Sequence, residues 1–182
     1  MKKKCLIVVD VQNDFVTGAL ANPDAVAALP TVRETVGYAR EHGWHLIFTQ
    51  DTHNENYLTT QEGKNLPVPH CIHGSWGWKI VDDLWCADDD MPILKCQFGY
   101  EAWEFEELFD YDEIVFCGFV TDICVISNVL GVKTQYPEIP VTFICDAAAG
   151  LTPEKHAAAC DVMRSCQVKV VNWDEFVRNV NE

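Results

Sequence analysis

The side chains in this sequence best able to do chemistry stand just beyond short apolar runs. Asp10 follows Leu6-Ile7-Val8-Val9, Asp51 and His53 follow a run ending at Thr49, Lys95 follows Ile93-Leu94, and Cys124 lies shortly after Ile114–Cys117. A thiol placed where a strand turns into a helix sits near the positive end of the helix dipole. That position lowers thiol pKa and offers backbone N–H groups to an oxyanion. Cys124 is therefore the candidate nucleophile, and the other eight of the nine cysteines read as small buried hydrophobes or inert thiols. Asp10, after four apolar residues, is expected to be half-buried with a raised affinity for protons, so it could accept the thiol proton. It could equally cap a turn, a role also open to Asp14. Lys95 could hold the Asp10 carboxylate or be a solvated lysine at a strand end. Asp51, His53 and the distant His70 suit a divalent metal with open positions, and Glu62 could add a fourth ligand. His73 competes with His70 for that role, and a lone histidine is often only a hydrogen-bonded structural residue. His42, His45 and His156 read as structural.

The elements that must position these residues alternate along the chain. Strand-like runs are Cys5–Val9, His45–Thr49, Pro92–Leu94, Ile114–Cys117, Val141–Cys145 and Val168–Val171, too apolar to face water on one side. Helical patterns lie at Thr31–His42, stopped by Gly43, at Trp103–Phe109, at Cys124–Gln135, after the Thr152-Pro153-Glu154 start signal, and after Asn172. Six alternations predict a three-layer α/β/α sandwich around a mainly parallel six-stranded sheet, forming one domain over residues 1–182. In such a sheet ligands bind beyond the carboxyl ends of the strands. Those ends are Asp10, the Gln50–His53 segment, Lys95, the Gly118–Cys124 segment and Asp146. The stretch from Asp51 to Trp78 has no sustained period, and a loop of that length is usually functional.

Composition excludes several classes of partner. With 28 acidic against 13 basic residues the net charge is −15, which opposes nucleic acid and anionic membrane. No apolar run approaches a membrane span. Nine cysteines without a CxxC pair indicate a reducing compartment, so a cytoplasmic location is expected.

The motifs VVDVQNDF at 8–15, TQDTH at 49–53, PHCIHG at 69–74, Lys95 and GFVTDICV at 118–125 together resemble the isochorismatase-like cysteine hydrolases, and within them the nicotinamidase-related branch. The resemblance spans essentially the whole chain. It implies the isochorismatase-like fold and a catalytic triad of Asp10, Lys95 and Cys124. It also implies a cis peptide at Phe119–Val120, with the N–H groups of Val120 and Cys124 as an oxyanion hole. It further implies a metal on Asp51, His53, Glu62 and His70, zinc first, with iron or manganese as alternatives. Tyr57 is a nearby but poorer ligand, and water could take the fourth place. Phe15 is expected as a ring-stacking wall of the substrate pocket, with Tyr57, Trp76 and Trp78 also assigned to it. Trp76 and Trp78 could instead form an oligomer interface, since the family assembles into dimers or tetramers. The pattern departs from many nicotinamidases at Pro67, where an aromatic residue is common. The activity implied is cleavage of a small amide, nicotinamide to nicotinate and ammonia or a related reaction, through a Cys thioester. Bacterial isochorismate-cleaving enzymes do not keep the nucleophilic cysteine, so Cys124 favours amide hydrolysis. The alternatives are a hydrolase of another small substrate and a non-catalytic thiol protein that binds or senses.

Overall fold

The run Lys4–Val9 forms strand β1, and all six of its residues are buried, as a strand covered on both faces requires. The structure is a computed structural model that describes residues 3–86 and 88–181. The further strands are β2 (His45–Asp51), β3 (Ile93–Lys95), β4 (Glu113–Phe119), β5 (Val141–Ala149) and β6 (Lys169–Val171), and two short helices, α1 (Asn13–Val16) and α3 (Gln61–Asn65), follow β1 and β2. They pair in the order β3-β2-β1-β4-β5-β6, and every pairing is parallel. Alternate residues of each strand enter opposite cores. Leu6 and Val8 of β1, with Val115 and Cys117 of β4, face helix α2 (Pro23–Glu41) and Phe176 of helix α6 (Trp173–Asn181). Ile7 and Val9, with Ile114 and Phe116, face helices α4 (Ile126–Gln135) and α5 (Pro153–Ser165). The expected three-layer sandwich is thus built by the period of two in the strands.

Helix α2 begins eight residues before the expected start at Thr31. The Asn22 side chain accepts from the N–H groups of Asp24 and Ala25, and Pro23 takes the first turn, where a missing N–H costs nothing. The helix then runs through Pro30, because Ala25, Ala28, Leu29, Val32, Val36 and Ala39 make one buried stripe whose packing outweighs the lost bond. It stops at Gly43, which has φ +66°. The short helix expected at Trp103–Phe109 is two 3-10 turns, Trp103–Phe105 and Leu108–Asp110. Helix α4 starts at Ile126 rather than Cys124, preceded by a single π-type turn over Thr121–Val125. Strand β5 continues past Asp146 to Ala149. Asp146 is consequently no strand-end site residue: its Oδ1 accepts from the Trp173 N–H at the start of α6.

β1 sits at the centre, between β2 and β4, so the chain order reverses beside it and a crevice opens at its carboxyl end. Val9 lies opposite Thr49 on one side and Gly118 on the other. Gly118 has φ +119°, and a Cβ there would lie 2.1 Å from the Val9 carbonyl oxygen, so only glycine permits this approach. Among the described residues no helix is long and apolar enough to cross a membrane.

Candidate active site

Asp10 ends β1 in the left-handed region, φ 47°, and is completely buried rather than half-buried. Such a backbone costs about 1–3 kcal/mol unless its surroundings hold it. Here the Asp10 N–H donates to the Thr49 carbonyl and hydroxyl oxygens, and its own carbonyl accepts from Gln12 N. The Thr49 hydroxyl donates to Asp10 Oδ1 at 2.7 Å. Oδ2 has no aligned hydrogen bond, but the Lys95 ammonium stands 2.6 Å away. Lys95 ends β3, two strands from β1, and its stem reaches past the end of β2 to make this pair. Nζ also donates to the Gln97 carbonyl at 3.1 Å and lies 3.6 Å from Asp51 Oδ1. Burial pushes the Asp10 carboxyl above its ordinary pKa, with Lys95 opposing the shift. Burial alone would depress Lys95, but the carboxylates of Asp10 and Asp51 outweigh it and hold the ammonium charged.

Cys124 is 5% exposed, on the π-type turn that follows β4. The lowered pKa expected from the helix start is reversed. Burial first, and then the Asp10 charge, push the thiol well above its ordinary value, with Lys95 only partly opposing them. A helix terminus contributes only a fraction of a charge, whereas here the thiol itself is buried and an anion lies close by. The thiol is therefore protonated at rest, and an adjacent base must remove the proton before it can attack. The Phe119–Val120 peptide just before the turn is cis.

The second group lies at the end of β2. One ligand atom from each of Asp51, His53 and His70 lies within 4.8 Å of the others, and all three side chains are buried. Asp51 Oδ2 is 3.1 Å from His53 Nε2 and 3.5 Å from His70 Nε2, while Glu62 Oε1 is 3.6 Å from both nitrogens. His70 Nδ1 donates to the Val68 carbonyl at 2.9 Å, which leaves Nε2 directed at the carboxylates. Nε2 can meet these oxygens as a proton donor or, once deprotonated, across a cation that it shares with them. Bonds of about 2.0–2.2 Å from a common centre reach donors spaced in this way, so the set fits a divalent ion. Burial opposes ionisation of Asp51, but the two imidazoles and Lys95 hold its carboxyl below the ordinary range. His73 belongs elsewhere, its ring against Trp78 at 4.7 Å.

Cys124 of the first group and Asp51, Glu62 and His70 of the second line one cavity of ≈ 590 Å³, together with Phe15 and Val120, whereas Asp10 and Lys95 do not reach its wall. The Phe15 and His70 rings stand 5.8 Å apart. Three residues assigned to the pocket do not line it. Tyr57 is buried behind the histidines, its hydroxyl donating to the Leu66 carbonyl at 3.0 Å and lying 3.5 Å from Glu62. Trp78 turns its indole N–H to Thr52 Oγ1 and lines a separate cavity, and Trp76 is 59% exposed. The loop that carries both tryptophans is drawn away because its backbone carbonyls serve Gln12, Asn13 and Gln50.

A model of the Isochorismatase domain matches residues 4–175. The chain belongs to the isochorismatase family. Among its curated relatives is a protein of Arabidopsis thaliana named a probable inactive nicotinamidase, 29% identical, with 96% of this chain and 95% of that one covered. The nicotinamidase/pyrazinamidase of Mycobacterium tuberculosis is 24% identical over 92% of this chain and 98% of its own. Among solved structures, the pyrazinamidase of Pyrococcus horikoshii in complex with zinc superposes with a TM-score of 0.82 at 28% identity, covering 94% of this chain and 99% of that one.

Several residues support this isochorismatase-family site without being among its expected catalytic, metal or pocket residues. Gln12 is fully buried: its Nε2 donates to the Asp51 and Trp78 carbonyls and its Oε1 accepts from the Asp51 N–H, which fixes the end of β2. Asp14 accepts from the Cys71 and Ala19 N–H groups, holding the segment after His70, where Cys71 has φ 46°. Asn128 donates to the Cys124 carbonyl at 2.8 Å and accepts from Tyr100 N and Trp103 Nε1, joining the turn of Cys124 to the loop after Lys95. Gln12 and Asp14 lie inside the motif at 8–15, so their position beside Asp10 was the available signal.

Proposed function

We propose that this isochorismatase-family chain is a cysteine amidohydrolase that cleaves a small amide, nicotinamide or a relative of it, to the acid and ammonia. The observation that carries the reading is the buried Asp10–Lys95 pair beside Cys124, whose own side chain lines the cavity. Asp10 accepts the Cys124 proton, and the sulfur attacks the amide carbonyl. The N–H groups of Val120 and Cys124 receive the oxyanion. When the C–N bond breaks, Asp10 returns the proton to the departing nitrogen, which leaves as ammonia, and the acyl group remains as a thioester. Asp10 next takes a proton from water, the hydroxide attacks the thioester, and the C–S bond breaks as Asp10 returns that proton to the sulfur, which releases the acid and restores the thiol. Lys95 stays charged throughout and keeps Asp10 ionised at the start of each half-reaction. Phe15 forms a wall against the substrate ring.

Asp51, His53, His70 and Glu62 would hold a divalent ion, zinc as first candidate with iron or manganese as alternatives. Bound there, it would supply a Lewis-acid anchor for a ring nitrogen. Purified protein is expected to carry about one such ion per chain by elemental analysis, and Asp51→Ala with His53→Ala to carry less than about a tenth of that. Equal metal content in both would remove these residues as ligands.

The sensor reading requires an accessible thiolate, whereas Cys124 is 5% exposed and its pKa is raised. The word "inactive" in the name of the Arabidopsis relative belongs to that protein, and here aspartate, lysine and cysteine stand together. The test is ammonia release from nicotinamide and a panel of small amides, with and without chelator. Turnover of nicotinamide or a near relative is expected, and ammonia from none of them would end the proposal.

A further inference from the structure

The cavity is larger than a single-ring amide needs, and its outer half has a composition of its own. At ≈ 590 Å³ it falls within the roughly 300–1,000 Å³ of pockets that hold drug-sized ligands, against roughly nine non-hydrogen atoms in a pyridine carboxamide. Of the titratable groups of the wall, Asp51, His70 and Cys124 are almost fully buried and the Glu62 carboxylate stands beside His70. The outer wall is formed by Leu20, Leu66, Phe98, Ile123 and Leu151, and three of these are open to solvent: Leu66 37%, Phe98 50% and Leu151 51%. The one polar side chain on that wall, Asn22, is already engaged. Its Oδ1 accepts from Asp24 N and Ala25 N, and its Nδ2 donates to the Gly150 carbonyl at 2.9 Å. No Lys or Arg lines the cavity among the described residues, and Lys95 is committed to Asp10.

We infer that the substrate, given the amidase reading on which this rests, is an uncharged amide whose acyl part carries an apolar extension toward Leu66, Phe98 and Leu151. A carboxylate on that extension would meet no cation and would approach a chain of net charge −15. A hydroxyl or second amide there would lose its water to a wall that offers no side-chain partner. An alkyl or aryl group exchanges water for three exposed apolar side chains.

The test is kcat/KM by ammonia release for straight-chain primary amides from propanamide to octanamide, alongside nicotinamide and the anionic N-carbamoylglycine. The expected result is a rise of about fourfold per added methylene until the cavity is filled. Phe98→Ala with Leu151→Ala should flatten that rise, and N-carbamoylglycine should fall at least about a hundredfold below neutral amides of its size. A flat series, or an anionic amide cleaved as well as a neutral one, while nicotinamide is still turned over, overturns this inference and leaves the amidase reading standing. Ammonia from no amide at all overturns both.

Discussion

Cys124→Ala is expected to lower ammonia release by about 10⁴-fold or more, because the covalent route disappears with the sulfur. The fold should survive. Cys124 borders a cavity, so losing one sulfur leaves no sealed void, and the cost should stay near about 1 kcal/mol. The variant also removes a group whose ionised form is opposed by Asp10 and by burial, so no charge is left without its partner. Cys124→Ser sharpens the test. It keeps nearly the same volume but replaces a thiol with a hydroxyl that is far harder to deprotonate, so it should be almost as inactive as the alanine variant. The measurements are ammonia release, a urea midpoint for each variant, and mass spectrometry of acid-quenched wild type during turnover. The last should find the acyl group on Cys124 and on none of the other eight thiols. Undiminished activity in the alanine variant would remove Cys124 as nucleophile, whatever the state of the fold.

That this one thiol could be singled out in the sequence is owed to topology more than to its local chemistry. Apolar runs such as Leu6–Val9 and Ile114–Cys117 can be stable only when covered on both faces. This predicts a parallel sheet, and a parallel sheet brings the residues just beyond its strand ends to one edge. Asp10, Asp51, His53, Lys95 and Cys124 were legible for that reason. The features that stayed hidden depend on distant partners. Burial of Asp10 and Cys124 is set by the whole sandwich, so reasoning from the helix start alone gave the wrong direction for the thiol. Gln12, Thr49 and Asn128 act through hydrogen bonds to residues 25 to 39 positions away, which no local pattern announces. Trp76 and Trp78 looked like pocket walls because they are aromatic and lie in the long loop. Their placement was decided by which carbonyls that loop offers to Gln12, Asn13 and Gln50. Pro30 hid the first two turns of α2, because a proline is read as a beginning when the buried stripe on either side of it is not yet known.

The second large effect belongs to the Asp10–Lys95 pair, where activity and stability should separate. Lys95→Met leaves Asp10 fully buried without its cation, the Thr49 hydroxyl still donating to Oδ1, and removing one member of such a pair costs about 3–5 kcal/mol. The loss should depend on pH in a defined direction. Burial already raises the Asp10 pKa with Lys95 opposing it, so without Lys95 the folded-state value rises further above the unfolded value of about 3.9. Between those two values the native state holds a proton that the unfolded state has released, so stability falls as pH rises through the window. The deficit against wild type in urea should therefore be largest at neutral and alkaline pH. It should shrink by up to about 1.4 kcal/mol per pH unit on acidification between the folded-state values of the variant and of the wild type. Asp10→Asn combined with Lys95→Met removes both charges together and should recover much of the stability at neutral pH, since a buried pair replaced by neutral groups is often nearly neutral in energy. It should recover no activity, because an amide side chain cannot accept the Cys124 proton. A Lys95→Met deficit that ignores pH, or a double variant as unstable as the single one, would show that the pair is not the unit that carries this energy. If the double variant regained turnover, Asp10 would lose its place as the base.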